Sequence, residues 1–260
     1  MALGDALSAT GRSRIEAAAF VSPRAVPQMA DGAAVMAGIR RAPGVAYAAL
    51  TPNLKGYDAA RAARVDEAAV FASASESFSR ANINASVAES LERFRPVAEA
   101  ARADAVRLRA YVSCVVVCPY EGAVAPEAVA RLTETLFTMG AAEVSLGDTV
   151  GRGTPESVDA MLDAVLAVAD ADRLAAHLHA TNGRALDNVS VCHARGLGVF
   201  AAAAGGLGGC PFAPGASGNL ATGDLVAWAE GRGLATGVDR AALAEAEALA
   251  RRLRESARDG

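Results

Sequence analysis

Short apolar segments that alternate with longer amphipathic stretches restrict most strongly how this chain can fold. Helical patterns, such as the one over Val87–Arg102, separate these apolar segments. The predicted strands are, in order, Arg14–Phe20, Tyr47–Thr51, Glu67–Ser73, Arg107–Cys114, Glu143–Asp148, Leu174–His179 and Val199–Ala204. Strands that alternate with helices favour a parallel sheet, either a closed barrel or an open doubly wound sheet.

Helix boundaries and domain extent follow from the same pattern. Pro126 and Pro155 each read as the first turn of a helix, because proline is tolerated at that position. Beyond the last predicted strand the chain has helical periodicity, over about residues 224–254. We expect one domain over residues 1–260, with this helical region at its end.

Two observations favour the barrel over the open sheet. Polar or reactive residues end nearly every predicted strand, where (β/α) barrels place their active sites. They are Glu16, Thr51, Ser73, Ser113, Asp148 and His179. The GxGxxG turn of a dinucleotide fold does not follow the first strand. We therefore predict an α/β TIM-type barrel in which seven strands are recognisable, and we expect its first strand to lie upstream.

Composition excludes several classes of function. The chain is 52% hydrophobic but only 5% aromatic, so its core must consist mainly of Ala, Val and Leu. The net charge is −4 without a basic patch, which argues against a nucleic-acid partner. No apolar run reaches membrane-spanning length, and the start lacks a secretory signal. Four cysteines form no CxxC pair, and we expect a reducing cytoplasmic location without a membrane partner.

His177-Leu178-His179 ends a predicted strand and is a candidate metal site. Residues two apart in a strand point to the same face, so both imidazoles would face the barrel mouth. Imidazole is a common ligand of divalent metals. The alternative is two polar residues that happen to end a strand, and spacing alone does not decide between them.

The stretch GGLGGCPFAPGASGN, residues 205–219, is the most unusual in the chain. Its glycines predict a loop whose backbone can approach a ligand closely. Cys210 at its centre is a candidate acid, base or nucleophile, the alternative being an incidental small residue in a flexible loop. Asn219 offers an amide oxygen suited to a hard divalent ion.

The same stretch closely resembles the cysteine loop of 3-hydroxy-3-methylglutaryl-CoA (HMG-CoA) lyases. Further motifs of that family occur in the same order, and the similarity runs from about Leu3 to Val238. They are Ile15-Glu16 with Phe20-Val21-Ser22-Pro23, Val26-Pro27-Gln28-Met29-Ala30-Asp31, Leu50-Thr51-Pro52-Asn53-Leu54-Lys55-Gly56, Tyr111-Val112-Ser113-Cys114, Cys118-Pro119-Tyr120-Glu121-Gly122 and Ser145-Leu146-Gly147-Asp148-Thr149-Val150-Gly151. Isopropylmalate synthases share the HxH motif but would need a different loop after the last strand.

The resemblance implies cleavage of HMG-CoA to acetyl-CoA and acetoacetate with Mg²⁺ or Mn²⁺. Such an ion acts as a Lewis acid on the substrate oxygens. The implied metal ligands are His177, His179 and Asn219. His177 and Asp148 are the implied acid/base residues, and Cys210 would protonate the enolate.

The remaining implied contacts concern the acyl-CoA substrate and the surroundings of the metal. Glu16 would support and orient the metal site. Ser145 would contact the substrate. Lys55, the single lysine of the chain, is a candidate contact for the CoA phosphates.

Departures from the family pattern favour an alternative. The family's first strand carries an Arg-Asp pair, and this sequence starts after it. His-x-His-Asp-Thr-Tyr is here His177-Leu178-His179-Ala180-Thr181-Asn182, and Ala201–Ala203 and Ala18-Ala19 replace polar residues. We expect reduced metal affinity, and the alternative is a catalytically impaired acyl-CoA-binding or inactive paralogue. Unpaired strand edges in such a barrel also suggest either poor stability or a homodimer.

Overall fold

Helices and strands alternate along most of the chain, as the apolar pattern predicts. The computed structural model describes residues 1–24, 26–208 and 218–256. Its strands are β1 Arg14–Ala19, β2 Ala46–Leu50, β3 Glu67–Ser73, β4 Arg107–Ser113, β5 Val117–Cys118, β6 Gly122–Ala123, β7 Glu143–Asp148, β8 Leu174–Leu178 and β9 Val199–Ala201. Its α-helices are α1 Ala2–Ser8, α2 Gly32–Gly38, α3 Leu54–Ala62, α4 Glu76–Ile83, α5 Val87–Ala103, α6 Pro126–Thr138, α7 Pro155–Leu166, α8 Ala185–Ala194, α9 Thr222–Glu230 and α10 Arg240–Ser256.

Seven parallel strands form one curled sheet in the order β1-β2-β3-β4-β7-β8-β9. These are the seven predicted strands, so the prediction of a TIM-type barrel architecture is confirmed. In the described part of the chain β1 and β9 are the edges of this sheet, and β5 and β6 form a separate antiparallel pair.

The outer face of the sheet carries the main core. Val70, Val112 and Leu146 are almost fully buried and belong to one apolar cluster with side chains of the surrounding helices. Val97 of α5 and Leu162 of α7 are among these helical partners. Alanines fill much of the remaining space, as the low aromatic content predicts.

The inner face of the sheet carries buried charges at the amino ends of the strands. Glu143 of β7 lies 2.8 Å from Arg14 of β1 and 3.1 Å from Arg109 of β4. Glu67 of β3 lies 3.3 Å from Arg14 and 2.9 Å from Arg107. These five residues form an ion-pair network that joins four strands, and we call it the interior network.

Local signals start the helices where the sequence predicts. Pro126 and Pro155 are the first residues of α6 and α7, which confirms both predictions. Ser86 begins α5 through a capping box with Glu89, which satisfies backbone donors at the helix start. Among the described helices none is both long and apolar enough to cross a bilayer.

Candidate active site at the carboxyl ends of the strands

A cavity of about 1070 Å³ opens at the carboxyl ends of the parallel strands. Glu16 of β1, Tyr111 of β4 and His177 of β8 line it from different strands. His179 and Asn219, which follow β8 and β9 in the chain, line it as well. Because TIM-type barrels place active sites at this end, the cavity is the candidate functional site.

The two predicted histidines meet in this cavity. Strand alternation turns both side chains to the inner face, and the two Nε2 atoms lie 3.3 Å apart. Two ligand atoms at about 2.1 Å from one octahedral ion would lie ~3.0 Å apart. Both Nδ1 atoms are buried without a hydrogen-bond partner among the described residues. The pair therefore fits two adjacent positions on one divalent ion.

Both imidazoles are held in the neutral form. Burial, with a smaller contribution from the proximity of His179 and Arg109, lowers the pKa of His177 to about 4. Burial also lowers the pKa of His179. Neutral imidazole is the form that coordinates metals, so both side chains are available as ligands near neutral pH.

Asn219 joins the histidine pair through the backbone and through its own amide. It forms an antiparallel bridge with His179, and its Nδ2 donates to the carbonyl of Leu207 at 2.8 Å. This bond occupies the amide nitrogen and leaves the side-chain oxygen as an acceptor. The three predicted metal ligands thus line one cavity. Cys210 lies outside the described residues.

Glu16 and Tyr111 form a second pair in the cavity. The Tyr111 hydroxyl donates to Oε2 of Glu16 at 2.6 Å. The Glu16 side chain is exposed to the cavity. Removal from bulk water by the surrounding protein nevertheless raises the pKa of its carboxyl. The hydrogen bond from Tyr111 and the charge of Arg109 oppose this rise. Burial likewise raises the pKa of Tyr111 well above its usual value. The carboxylate is therefore already engaged by a neutral phenol.

Arg109 is a buried cation beneath this pair. Neither Arg109 nor Tyr111 was among the site residues that the sequence predicted. Its side chain is 4% exposed and sits 5.1 Å from the ring centroid of Tyr111. Nη1 bonds to Glu143, whereas Nε and Nη2 have no partner among the described residues. Alternation within β4 gives Arg109, Tyr111 and Ser113 one face, and this signal could have identified both residues.

Asp148 and Ser145 lie outside the lining of the cavity. The carboxylate of Asp148 accepts hydrogen bonds from the backbone nitrogens of Gly151 at 3.1 Å and Gly153 at 2.8 Å. Burial raises the pKa of this carboxyl. Ser145 is fully buried within β7. This geometry favours a positioning role for Asp148, and the substrate contact of Ser145 stays a prediction.

Lys55 lies near the cavity mouth. It is exposed in the first turn of α3, while the preceding Pro52 and Asn53 line the cavity. The Asn53 side chain caps α3 by accepting from the backbone nitrogen of Gly56 at 2.9 Å. The position of Lys55 is compatible with an anionic group at the mouth, and the contact itself stays a prediction.

The three candidate metal ligands, His177, His179 and Asn219, carry no negative charge. Ala201, Ala202 and Ala203 form an apolar part of the wall, next to the histidine pair. Among the described residues no cluster of three or more His, Cys, Asp or Glu side chains is arranged for a metal. Two imidazoles and an amide oxygen can hold a divalent ion, but hard ions such as Mg²⁺ prefer carboxylates. We therefore expect weak binding.

The fold and the cavity together define a TIM-barrel protein with a candidate ligand site at the carboxyl ends of its strands. The HMGL-like family profile matches residues 1–250. The chain is 53% identical over 235 residues to the mitochondrial hydroxymethylglutaryl-CoA lyase of Gallus gallus, covering 90% of this chain and 79% of that protein. The chain belongs to the HMGL-like family.

Solved structures agree with this assignment. The HMG-CoA lyase of Brucella melitensis superposes with a TM-score of 0.95 and is 59% identical, covering 98% of this chain and 90% of that one. An HMG-CoA lyase of Acinetobacter baumannii in complex with coenzyme A and 3-methylmalate superposes with a TM-score of 0.90 at 38% identity. That comparison covers 95% of this chain and 80% of the other.

Proposed function

We propose that this protein is a carbon–carbon lyase that cleaves 3-hydroxy-3-methylglutaryl-CoA to acetyl-CoA and acetoacetate. Two relatives named for this activity are 53% and 59% identical to this chain, over 90% and 98% of its length. The single observation that carries the proposal is the pair His177 and His179, whose Nε2 atoms lie 3.3 Å apart in the cavity. That pair supports a metal site at the end of the barrel where this fold places its active sites.

The proposed cofactor is Mg²⁺ or Mn²⁺. His177, His179 and Asn219 would hold it, with lower affinity than a site that includes a free carboxylate. When bound, a divalent ion supplies a Lewis acid that makes a coordinated hydroxyl group easier to deprotonate.

The protein's own residues then have distinct tasks. The substrate hydroxyl loses a proton, the carbon–carbon bond breaks, and its electron pair forms the acetyl-CoA enolate, which gains a proton at carbon. His177 and Asp148 are the candidate acid/base residues. His177 lines the cavity and would accept the proton when its Nε2 is not bound to the ion, whereas Asp148 shapes the loop after β7. Cys210 is the proposed proton donor. Glu16 and Tyr111 would orient the groups around the ion.

The proposed substrate class is an acyl-CoA. A 38% identical relative has been crystallised with coenzyme A and 3-methylmalate. Exposed Lys55 would contact the CoA phosphates, with Pro52 and Asn53 beside it at the cavity lining. We also propose a cytoplasmic location and a homodimer.

A second candidate function is acyl-CoA binding without efficient turnover. The observation that favours it is the alanine wall, because Ala201–Ala203 offer no side-chain group to bind oxygen atoms. The engaged carboxylate of Glu16 points the same way, since Tyr111 already occupies one of its oxygens.

Metal binding and turnover together test the proposal. We expect His177→Ala and His179→Ala each to weaken Mn²⁺ binding, measured by titration calorimetry, by about 10-fold or more. His193→Ala is the matched control, because His193 is exposed on α8 and packs against Trp228. It should leave Mn²⁺ affinity unchanged.

Acetoacetate release from HMG-CoA with Mn²⁺ separates the two functions. Cys210→Ala should lower kcat by about 10²–10⁴-fold if the thiol donates the proton. Equal background turnover in the wild type and Cys210→Ala would contradict the lyase. Saturable binding of the substrate in that case would support the acyl-CoA-binding alternative.

A further inference from the structure

We propose that Glu247 of α10 is a positioning residue that fixes Asn219 by tying together the two chain segments on either side of it. We call the pair of hydrogen bonds that Glu247 accepts from Gly205 and Gly223 the clamp. Its consequence for metal binding rests on the proposed function, whereas the clamp itself does not. A residue of the C-terminal helix would thereby control the geometry of a site to which it contributes no ligand.

One carboxylate oxygen makes both contacts. Oε1 of Glu247 accepts from the backbone nitrogen of Gly205 at 3.1 Å and from that of Gly223 at 2.8 Å. The Glu247 side chain is only 13% exposed. Hydrogen bonds to an ionised acceptor that is shielded from water are stronger than neutral ones, so this carboxylate can hold both segments.

Charge around the carboxylate is favourable. Gly223 is the second residue of α9, and a negative charge is stabilised at a helix amino end. Nη1 of Arg251 lies 3.9 Å from Oε2 of Glu247. Burial lowers the pKa of the partly buried Arg12, and the nearby Glu247 opposes this lowering. A helix amino end and a neighbouring guanidinium therefore both face the Glu247 side chain.

The lack of a side chain at position 223 makes the approach possible. A Cβ there would lie 2.8 Å from Oε2 and 3.2 Å from Oε1 of Glu247. Glycine is a poor choice for the first turn of a helix on conformational grounds, because alanine has the higher helix propensity. The close approach of the Glu247 carboxylate explains why glycine occupies position 223.

Both clamped segments contact Asn219 or its neighbours. The segment after Gly205 includes Leu207, whose carbonyl accepts from Asn219 Nδ2 at 2.8 Å. The segment before Gly223 begins at Gly218, where a Cβ would lie 3.0 Å from the Gly206 carbonyl. Fixing Gly205 and Gly223 with one oxygen therefore fixes the amide of Asn219 relative to the histidine pair.

Hydrogen exchange in the full-length protein tests the clamp directly. We expect Glu247→Ala to speed exchange of the Gly205 and Gly223 amides by about tenfold or more, because both lose a charged acceptor. Glu247→Gln, which keeps one acceptor oxygen, should give an intermediate rate. Glu245→Ala is the matched control, since Glu245 is exposed on the same helix. Unchanged exchange at both amides in Glu247→Ala would overturn the clamp.

A double-mutant cycle with Gly223 provides an independent measurement. Gly223→Ala should destabilise the wild type, because its Cβ displaces the carboxylate. In the Glu247→Ala background the same change should be neutral or stabilising, since alanine favours the helix. Equal effects of Gly223→Ala on the free energy of unfolding in both backgrounds would contradict the proposal.

Mn²⁺ titration distinguishes this inference from the proposed function. We expect Glu247→Ala to weaken Mn²⁺ binding by about threefold to tenfold, the lower end of the range for groups that support metal ligands. If exchange at Gly205 and Gly223 changes while Mn²⁺ affinity does not, the link from the clamp to Asn219 is wrong. If the wild type binds no Mn²⁺, the metal site fails and the exchange result still decides the clamp.

Discussion

At the residue scale, the histidine pair depends on strand geometry and on burial together. Alternation along β8 brings His177 and His179 to one face, and the surrounding protein keeps both neutral. Arg109 contributes to this effect, because a nearby positive charge disfavours a second one on His177. Two neutral imidazoles are in the protonation state that the proposed metal site requires.

The lowered pKa of His177 predicts a pH dependence of folding in the metal-free protein. The unfolded chain takes up a proton near pH 6.5, whereas the folded state does so only near pH 4. The stability contribution is therefore complete above pH 6.5 and is lost as pH falls toward 4. Urea unfolding between pH 4.5 and 7 should show that the free energy of unfolding falls less steeply with decreasing pH in His177→Asn than in the wild type.

Exposed His193 provides the control for this measurement. His193→Asn changes a histidine that lies on the surface of α8, so it should follow the wild-type pH dependence. Parallel curves for His177→Asn and the wild type would show that His177 does not resist protonation in the folded state.

At the scale of elements, α5 contains a local conflict. Pro96 lies inside α5, where proline removes a backbone hydrogen bond and clashes with the preceding turn. The rest of α5 has strong local signals, including its capping box at Ser86. Pro96 is exposed on this helix, so packing gives no reason for its presence.

Replacing Pro96 should stabilise the fold. We expect Pro96→Ala to raise the free energy of unfolding by about 1–2 kcal/mol, since the gain in helix propensity exceeds the entropy that proline removes from the unfolded chain. Pro126→Ala at the first position of α6 is the control and should have little effect there. Chemical denaturation measures both, and an unfolding free energy below that of the wild type for Pro96→Ala would contradict this account.

The ends of the strands differ slightly from the prediction. We expected strands to continue through Phe20, Thr51, Cys114, His179 and Ala204, but each ends at least one residue earlier. At Cys114 the backbone turns into the left-handed region with φ of 58°, and its nitrogen donates to Thr149 Oγ1 at 2.9 Å. Apolar periodicity does not encode where a loop begins, because loop residues can be equally apolar.

At the scale of the whole molecule, the interior network holds distant parts of the chain together. Glu143 of β7 binds Arg14 of β1 and Arg109 of β4, so these two ion pairs join three different strands of the sheet. Breaking one partner of a buried network leaves other charges uncompensated in a poorly solvated place.

Removal of Glu143 should therefore strongly destabilise the folded state. We expect Glu143→Ala to lower the free energy of unfolding by about 3–5 kcal/mol, because Arg14 and Arg109 lose a buried partner. Glu92→Ala is the matched control, since its pair with Arg95 on α5 is exposed and screened by water. Chemical denaturation of both variants is the measurement. Equal losses in the two variants would show that burial does not strengthen this network.

Sequence alone determined the seven strands, their alternation with helices and the shared face of His177 and His179, because these depend on short-range periodicity. Tertiary structure alone decided that Tyr111 and Arg109 lie beside Glu16 and that the Asp148 carboxylate turns into its own loop. It also brought Glu247 to Gly205 and Gly223. Register and packing between segments far apart in the chain control these contacts, and local patterns carry no information about them.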